Sequence, residues 1–301
     1  MHTKKKNILV SVLLNCYNSE KFISKAINSV INQTYNNWEL IIWDDCSSDK
    51  TLNLVKKYKD QRIRIFSNKK NLGLGKSRIN AIKYINGSLV SILDSDDYFH
   101  KEKLYKQVKI FKKYPNIALC STWSKLFRGD NNFIRSIETD LKNENLKKKL
   151  LYINFLPHSS LMYRADIAKK VGWYSRRLEF AQDYDLTLKL LEKNDIYIIK
   201  EHLTFIGLDY TNMSFTERLK PTIFNENISI LKKNLLKNSI SHKEKKIIKN
   251  IIDINLLKLS VIKMKKNSIL GFVELINILL KNPLILFRLK LLRLLSEQKK
   301  L

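Results

Sequence analysis

The chain has 301 residues, 44% of them hydrophobic, enough for one sizeable core or for a domain with an appendage. Lys and Arg number 56 against 28 Asp and Glu, a formal net charge of +28, so nucleic acid, an anionic membrane face and phosphorylated ligands are the partners it favours. With 7 glycines, 4 prolines and three scattered cysteines, a collagen-like or long disordered chain, a disulfide framework and a CxxC metal site are excluded. Part of the charge is general compositional bias, since Lys, Asn and Ile are abundant throughout.

Residues 1–6 are basic, but the apolar run after them stops at Asn15 with no small-residue cleavage site, the pattern of a strand and not of a signal peptide. That first strand is expected over 8–14, continuously apolar as in a parallel strand buried on both faces. Ser19 is placed to cap a helix in which Phe22, Ile23, Ala26, Ile27, Val30 and Ile31 share one side. A second strand over 39–43 is closed by Asp44-Asp45-Cys46-Ser47-Ser48, and a helix over 50–58 follows. Cys16 and Cys46 lie in or at the end of these strands, where free thiols behave as small apolar residues, consistent with a reducing, cytoplasmic compartment. A third strand (62–66), a third helix (75–84) and a fourth strand (89–93) complete the alternation. Such units predict right-handed crossovers and a mostly parallel α/β sheet.

Beyond residue 130 the pattern loosens into a polar loop or hairpin (128–140), a Lys-rich helix (141–151), a strand (159–163) and a helix (183–193). From Pro221 it reads as helices only, which divides the chain into a domain over 1–220 and a basic helical region over 221–301. No run of about 18 uncharged apolar residues is present, so no bilayer span is predicted.

Ligands of such sheets sit beyond the carboxyl ends of the strands. Asp44 and Asp45 end the second strand, and Asp94, Asp96 and Asp97 end the fourth, so two carboxylate clusters are expected on one rim. Three carboxylates within four residues repel unless a cation or donors neutralise them, which suits a hard divalent ion, Mn2+ or Mg2+, shared with substrate phosphates. The plainer reading of Asp94-Ser95-Asp96-Asp97 is a solvated turn before the next helix. Asp44 and Asp45 can accept from a ribose hydroxyl or a base N–H, while Ser47 or Ser48 caps a helix. Residues 71–77 are not a P-loop, because that motif needs glycine at position 70, where Lys70 stands; Lys76 or Arg78 can still reach a diphosphate. Asp183 and Asp185 open a helix, where acids also favour the dipole. His158 and Gln182 are acceptor-side candidates, although a lone histidine is more often structural.

Together these segments resemble the family 2 glycosyltransferases of GT-A fold. The match runs in the family's order through Val10 to Asn18, Ile27 to Tyr35, Trp38 to Asp45, Asn71 to Gly75, Asp94 to Asp97, Pro157 to Ser160, Val171-Gly172 and Gln182 to Leu186. The resemblance implies a non-processive, inverting transfer from a nucleotide-sugar donor, with UDP expected, to a glycan or lipid-linked acceptor in cell-surface glycan synthesis. It implies that Asp45 binds the base, with Tyr17 and the Asn15 backbone lining that pocket. Asp96 coordinates the metal, Asp94 or Asp97 assists through metal, ribose or water, and Asp183 is the general base. Asn15 stands where the family has threonine, Cys46 where it has glycine, and Gln182 where it has an acid. A Gln-x-x-Arg-Trp segment is absent, since no tryptophan follows Trp173, which argues against a processive synthase.

Residues 221–301 carry 17 Lys and Arg against 5 Asp and Glu. The apolar stretch 284–295, broken by Arg288, Lys290 and Arg293, reads as a basic amphipathic helix lying on an anionic membrane, or as an appendage packed on protein. The alternatives are a nucleotidyltransferase, which needs a Gly-rich basic loop after the first strand, and a non-catalytic polyanion binder. The first-half aromatics fall at strand and helix-face positions, so no nucleic-acid partner is expected.

Overall fold

The computed structural model describes residues 7–129, 132–208, 220–237, 240–265 and 269–281. The chain forms two compact units, one of Met1–Lys147 with Asn154–Phe215 and the other of Lys148–Ile153 with Thr216–Leu301. The division thus falls at 215/216, where the sequence pattern puts it at 220/221, and a short segment from mid-chain joins the second unit.

The first unit opens with β1 (Val10–Cys16), α1 (Ile23–Ile31), β2 (Trp38–Asp44), α2 (Thr51–Val55), β3 (Ile63–Ser67), α3 (Leu74–Ala81) and β4 (Leu89–Asp94). It continues with β5 (Tyr98–Phe99), α4 (Lys103–Lys113), β6 (Ile117–Arg128), β7 (Asn132–Ile137) and α5 (Asn143–Leu150). Then follow β8 (Met162–Arg164), α6 (Ala165–Lys170), α7 (Gln182–Leu190) and β9 (Asp195–Leu208). The sheet order is β3-β2-β1-β4-β8-β6-β9-β5, with β7 paired to β6. Strands β3, β2, β1 and β4 are parallel, as the alternating pattern requires. Beyond them β8 runs antiparallel to β4 and β6, β9 parallel to β6, and β5 antiparallel to β9, so the sheet is mixed. Residues 128–140 include the second strand of the β6–β7 hairpin.

Burial explains the parallel half. Every residue of β2 is buried, and in β1 all but Asn15 are. Ile23, Ala26, Ile27 and Val30 of α1 are fully buried at helical spacing in the same core. Each such aliphatic side chain contributes about 1.5–3 kcal/mol on leaving water. Ser19 does not cap α1 through its side chain; its carbonyl accepts the amides of Phe22 and Ile23, and its hydroxyl is used elsewhere. The helix expected over 50–58 is only the short α2, after which Lys56 to Tyr58 form turns.

Cys46 departs from expectation too. It is exposed, with φ of 62°, in the left-handed region that costs a residue with a Cβ about 1–2 kcal/mol. Cys46→Gly is therefore expected to raise stability by about 1 kcal/mol, read as a higher denaturant midpoint.

At the opposite strand ends, Glu39 is buried and accepts from Ser11 Oγ (2.6 Å), Asn86 N (2.6 Å), Asn86 Nδ2 (2.9 Å) and Arg64 Nη1 (3.2 Å). Burial pushes its carboxyl up, but these donors outweigh burial and hold it below the ordinary 4.5. Its contribution is thus fully present above pH 4.5 and is lost as pH falls through the lowered folded value. Glu39→Gln is expected to cost about 2 kcal/mol at neutral pH and to flatten that acid limb in denaturation curves recorded across pH.

The second unit contains α8 (Pro221–Leu235), α9 (His242–Lys265) and α10 (Ile269–Lys281). Ile228, Leu231, Ile240, Ile248 and Ile252 form its core, with Leu151 and Tyr152 packed against it. Asn234 Nδ2 donates to the Leu151 carbonyl (2.8 Å), which ties the segment 148–153 into this unit. Among the described residues no helix is long and apolar enough to cross a membrane. The stretch 284–295 lies outside the described residues.

Candidate active site

The loops that leave the carboxyl ends of β1, β2 and β4 are stitched together. Asn18 N donates to Ser47 Oγ (2.9 Å), Ser48 N to Asn18 Oδ1 (2.9 Å), and the hydroxyls of Ser19 and Ser95 meet at 2.8 Å. Strand register sets Asn15 between Trp43 on one side and Asp94 on the other. Its Nδ2 is buried and has no partner among the described residues, a donor left at the centre of the rim. Tyr17, by contrast, is 49% exposed at the rim's edge.

The two acids after β2 have different fates. Asp44 is 1% exposed and its carboxylate is occupied by the amide (3.1 Å) and hydroxyl of Ser47. It braces the turn and does not reach the rim, which corrects the expectation of a ribose contact. Asp45 accepts from Asn68 Nδ2 (2.7 Å) and Leu72 N (2.8 Å) at Oδ1, and from Gly73 N (2.8 Å) at Oδ2. It thereby holds the glycine loop, which turns through Gly73 at φ 84°, a backbone state suited to glycine. Asp45 is itself only 4% exposed, and beyond the Gly73 bond Oδ2 keeps a second lone pair. Lys76 is exposed on α3.

The acids after β4 also divide. The Asp97 amide donates to the Asp94 carbonyl (3.0 Å), closing a tight turn. Asp97 is 5% exposed, and its Oδ1 accepts from Gly207 N (2.9 Å). Its carboxyl is pushed well up by burial and by the charges of Asp96 and Asp94, against hydrogen bonds from Ser159 and Gly207. Asp97 is therefore an internal anchor, a correction to its reading as a metal ligand, and Asp96 is the half-buried acid left on the turn. Gly207 packs so tightly there that a Cβ would lie 2.1 Å from the Asp96 carbonyl oxygen.

Asp94 faces a cation that the strand pattern alone does not locate. Arg78, on α3 and 6% exposed, donates from Nη2 to Asp94 Oδ1 (3.2 Å) and approaches His158 Nδ1 (3.0 Å). Burial works to raise the Asp94 carboxyl, but the His158 ring and the Arg78 guanidinium hold it well below the usual carboxylate range. Burial likewise works to lower Arg78, and Asp94 first, then Tyr174 and Asp183, more than restore it. One buried guanidinium thus lies in the fields of both Asp94 and Asp183.

Asp183 sits in the first turn of α7, half-buried, its Oδ2 accepting from Asn154 Nδ2 (3.1 Å). Its neighbour Asp185 is paired with Lys189 (2.6 Å) and buried, so the two acids are not equivalent. His158 and Gln182 are buried, with partners inside the protein: Tyr174 OH lies 3.3 Å from His158 Nε2, and Gln182 Nε2 donates to the Ser175 carbonyl (2.8 Å). His158 is thus held within the protein behind the rim, whereas Gln182 Oε1 is buried with no partner among the described residues. Asn68, Asn154, Ser159, Tyr174 and Gly207 complete the site without any strand-end signature in the sequence.

The sequence profile of Glycosyl transferase family 2 matches residues 11–172, more than half of the chain. The chain belongs to this family. The transferase is 31% identical over 201 residues, 65% of its own length and 69% of the relative's, to an uncharacterised glycosyltransferase MJ1057 of Methanocaldococcus jannaschii. Over 105 residues it is 42% identical to WfgD of Escherichia coli, a UDP-Glc:alpha-D-GlcNAc-diphosphoundecaprenol beta-1,3-glucosyltransferase; that match covers 35% of this chain and 42% of WfgD. Its fold is similar to that of S. aureus TarS 1-349 in complex with UDP-GlcNAc, with a TM-score of 0.67 at 23% identity over 90% of this chain and 80% of that one. It is also similar to the mannosyltransferase PcManGT of Pyrobaculum calidifontis in complex with GDP-Man and Mn2+, with a TM-score of 0.60 at 13% identity over 91% and 81% of the two chains. The transferase therefore has the GT-A fold.

Among the described residues no three His, Cys, Asp or Glu side chains converge into a complete metal cage. The donor set still fits an ion of the magnesium or manganese kind, which takes one or two carboxylates and completes its shell from phosphates and water. Asp94, Asp96 and Asp97 stand within four residues on one tight turn, a concentration of negative charge that such an ion would offset.

Proposed function

We propose that the transferase moves a sugar from a UDP-sugar to a hydroxyl of a glycan or lipid-linked acceptor in cell-surface polysaccharide assembly, with inversion at the anomeric carbon. The observation that supports this reading best is the buried Arg78 of α3, which bonds Asp94 at the end of β4 (3.2 Å) and meets His158 (3.0 Å), with Asp183 acting on the same guanidinium. The substrates in the names of WfgD and of the TarS complex support the donor class, and WfgD supports a lipid-diphosphate acceptor.

On this reading the unpartnered Asn15 amide and the remaining lone pair of Asp45 meet the base, with Tyr17 at its edge. Asp94, held ionised by Arg78, accepts from the ribose. Asp96 would hold the divalent ion, whose chemistry is to offset charge on the departing diphosphate. Lys76 is exposed on the same loop-helix junction and is available to that diphosphate. Asp183 removes the proton of the acceptor hydroxyl as its oxygen bonds to the anomeric carbon and the bond to the diphosphate oxygen breaks. A single displacement with a single base inverts the configuration. The enzyme works at the inner face of the cell membrane, where lipid-linked acceptors are presented.

Titration calorimetry with UDP, GDP, dTDP and CDP, with and without Mn2+, tests the donor class. Metal-dependent binding of UDP is expected in the wild type and is expected to vanish in Asp96→Ala. Binding of all four alike, or retention in the variant, would remove Asp96 from the metal site. An NMR assignment of the product's anomeric configuration decides inversion.

A further inference from the structure

Four exposed apolar residues of the second unit gather on one side of α10, apart from the scattered Ile153, Leu236 and Val261. Phe272, Val273, Ile276 and Leu280 are 51, 48, 41 and 75% exposed. At the angular step of an α-helix they fall within an arc of about 100°. Asn277 is exposed at its margin, and no charged side chain interrupts the stripe. Away from it, Glu274 pairs with Lys263 of α9 (2.8 Å), so this helix is fixed by its other side. An uninterrupted apolar stripe on a soluble surface marks a docking site more often than a chance exposure.

Charge selects the occupant. Residues 220–281 contain 13 Lys and 4 Asp or Glu. Lys232, Lys233, Lys243, Lys246, Lys249 and Lys258 are exposed. A second copy of the chain would bring the same excess of positive charge against itself. The segment 282–301 has the same sign, with Arg288, Lys290, Arg293, Lys299 and Lys300 against Glu297. An anionic lipid surface alone satisfies both features, burying the stripe among acyl chains and setting lysines against phosphates.

We infer that α10 is a lipid-docking helix, lying in the interface of an anionic bilayer with Phe272, Val273, Ile276 and Leu280 immersed. This helix belongs to the second unit and the donor residues to the first, and its test needs no catalysis, so it stands or falls independently of the donor assignment. The full chain is floated with vesicles of phosphatidylcholine alone or mixed with phosphatidylglycerol. The wild type is expected to float with the mixed vesicles only. The triple variant Val273→Ser, Ile276→Ser, Leu280→Ser is expected to lose at least about tenfold in partitioning while keeping its helical circular dichroism. Equal flotation of both proteins, or none by the wild type, overturns the inference. A wild-type dimer that ignores vesicles and becomes a monomer in the variant also overturns it, in favour of an interface between copies. Should the triple variant unfold, Phe272→Trp retains an apolar side chain, and its fluorescence is expected to be quenched by brominated lipid in mixed vesicles. Unquenched fluorescence sinks the proposal.

Discussion

Asp183→Asn is expected to lower kcat by about 10²–10⁴ while nucleotide affinity stays within about twofold. The substitution is nearly isosteric and its amide oxygen can still accept from Asn154, so the first turn of α7 should keep its shape. What disappears is the negative charge that receives the acceptor proton. Because Asp183 contributes to the field on Arg78, a denaturant midpoint recorded beside the kinetics separates loss of the proposed base from an effect on the fold. Steady-state release of nucleoside diphosphate measures kcat, and calorimetry measures affinity. A variant as fast as the wild type would move the base elsewhere, with Glu179 the next acid on the N-terminal side. Asp185→Asn is the matched control. Asp185 is paired with Lys189, so the change should affect stability more than rate.

Arg78→Met should be the most disruptive single change on the rim. The guanidinium is buried and serves Asp94 and His158 from one nitrogen. Removing one partner of a buried ion pair costs about 3–5 kcal/mol. The Asp94 side chain keeps 35% exposure, so water recovers part of that, and a loss of about 2–4 kcal/mol is expected. Donor KM should rise at least about tenfold, because Asp94 loses the charge that holds it ionised and oriented. Arg78→Lys is expected to recover part of the stability but not the KM, since a point charge does not reproduce the planar fork. Denaturant midpoints and donor saturation curves separate the two effects. Wild-type values for Arg78→Met in both would refute the bridging role.

The first four strands were legible because burial on both faces leaves continuous apolar runs, as in β1 and β2. The same logic set Asp45, Asp94 and Asp96 at strand ends, and β2 and β4 do stop at Asp44 and Asp94. Strand β9 escapes that reading: it carries Lys200, Glu201 and His202 mid-strand, and its register against β6 slips at Trp123. Nothing local marks such a strand, because its pairing partner lies about 80 residues away, as in the Thr122–Thr204 hydroxyl contact (2.8 Å). Asp44 and Asp97 look like rim carboxylates in sequence, yet each turned inward to satisfy neighbouring amides. Adjacent acids at a strand end point to opposite sides of the turn, and composition cannot say which side is wet. Ser159, inside the Pro157 to Ser160 match, acts through one hydroxyl on the Asp94 amide (3.0 Å), while Gly207 acts through its lack of a side chain and lies in no motif.

The contact between Gly207 and the Asp96-Asp97 turn bears on modularity. It joins positions 110 residues apart, the Gly207 amide donating to Asp97 Oδ1 where no side chain would fit on Gly207. Loop-closure cost delays so distant a pairing, so the acidic turn reaches its working shape only once β9 has been added. A fragment ending before β6 would keep four parallel strands and every acid that first suggests a donor site, yet lack the part that sets their geometry. Recombination between relatives would therefore have to exchange the acidic turn and β9 together, as one inherited unit split across the chain.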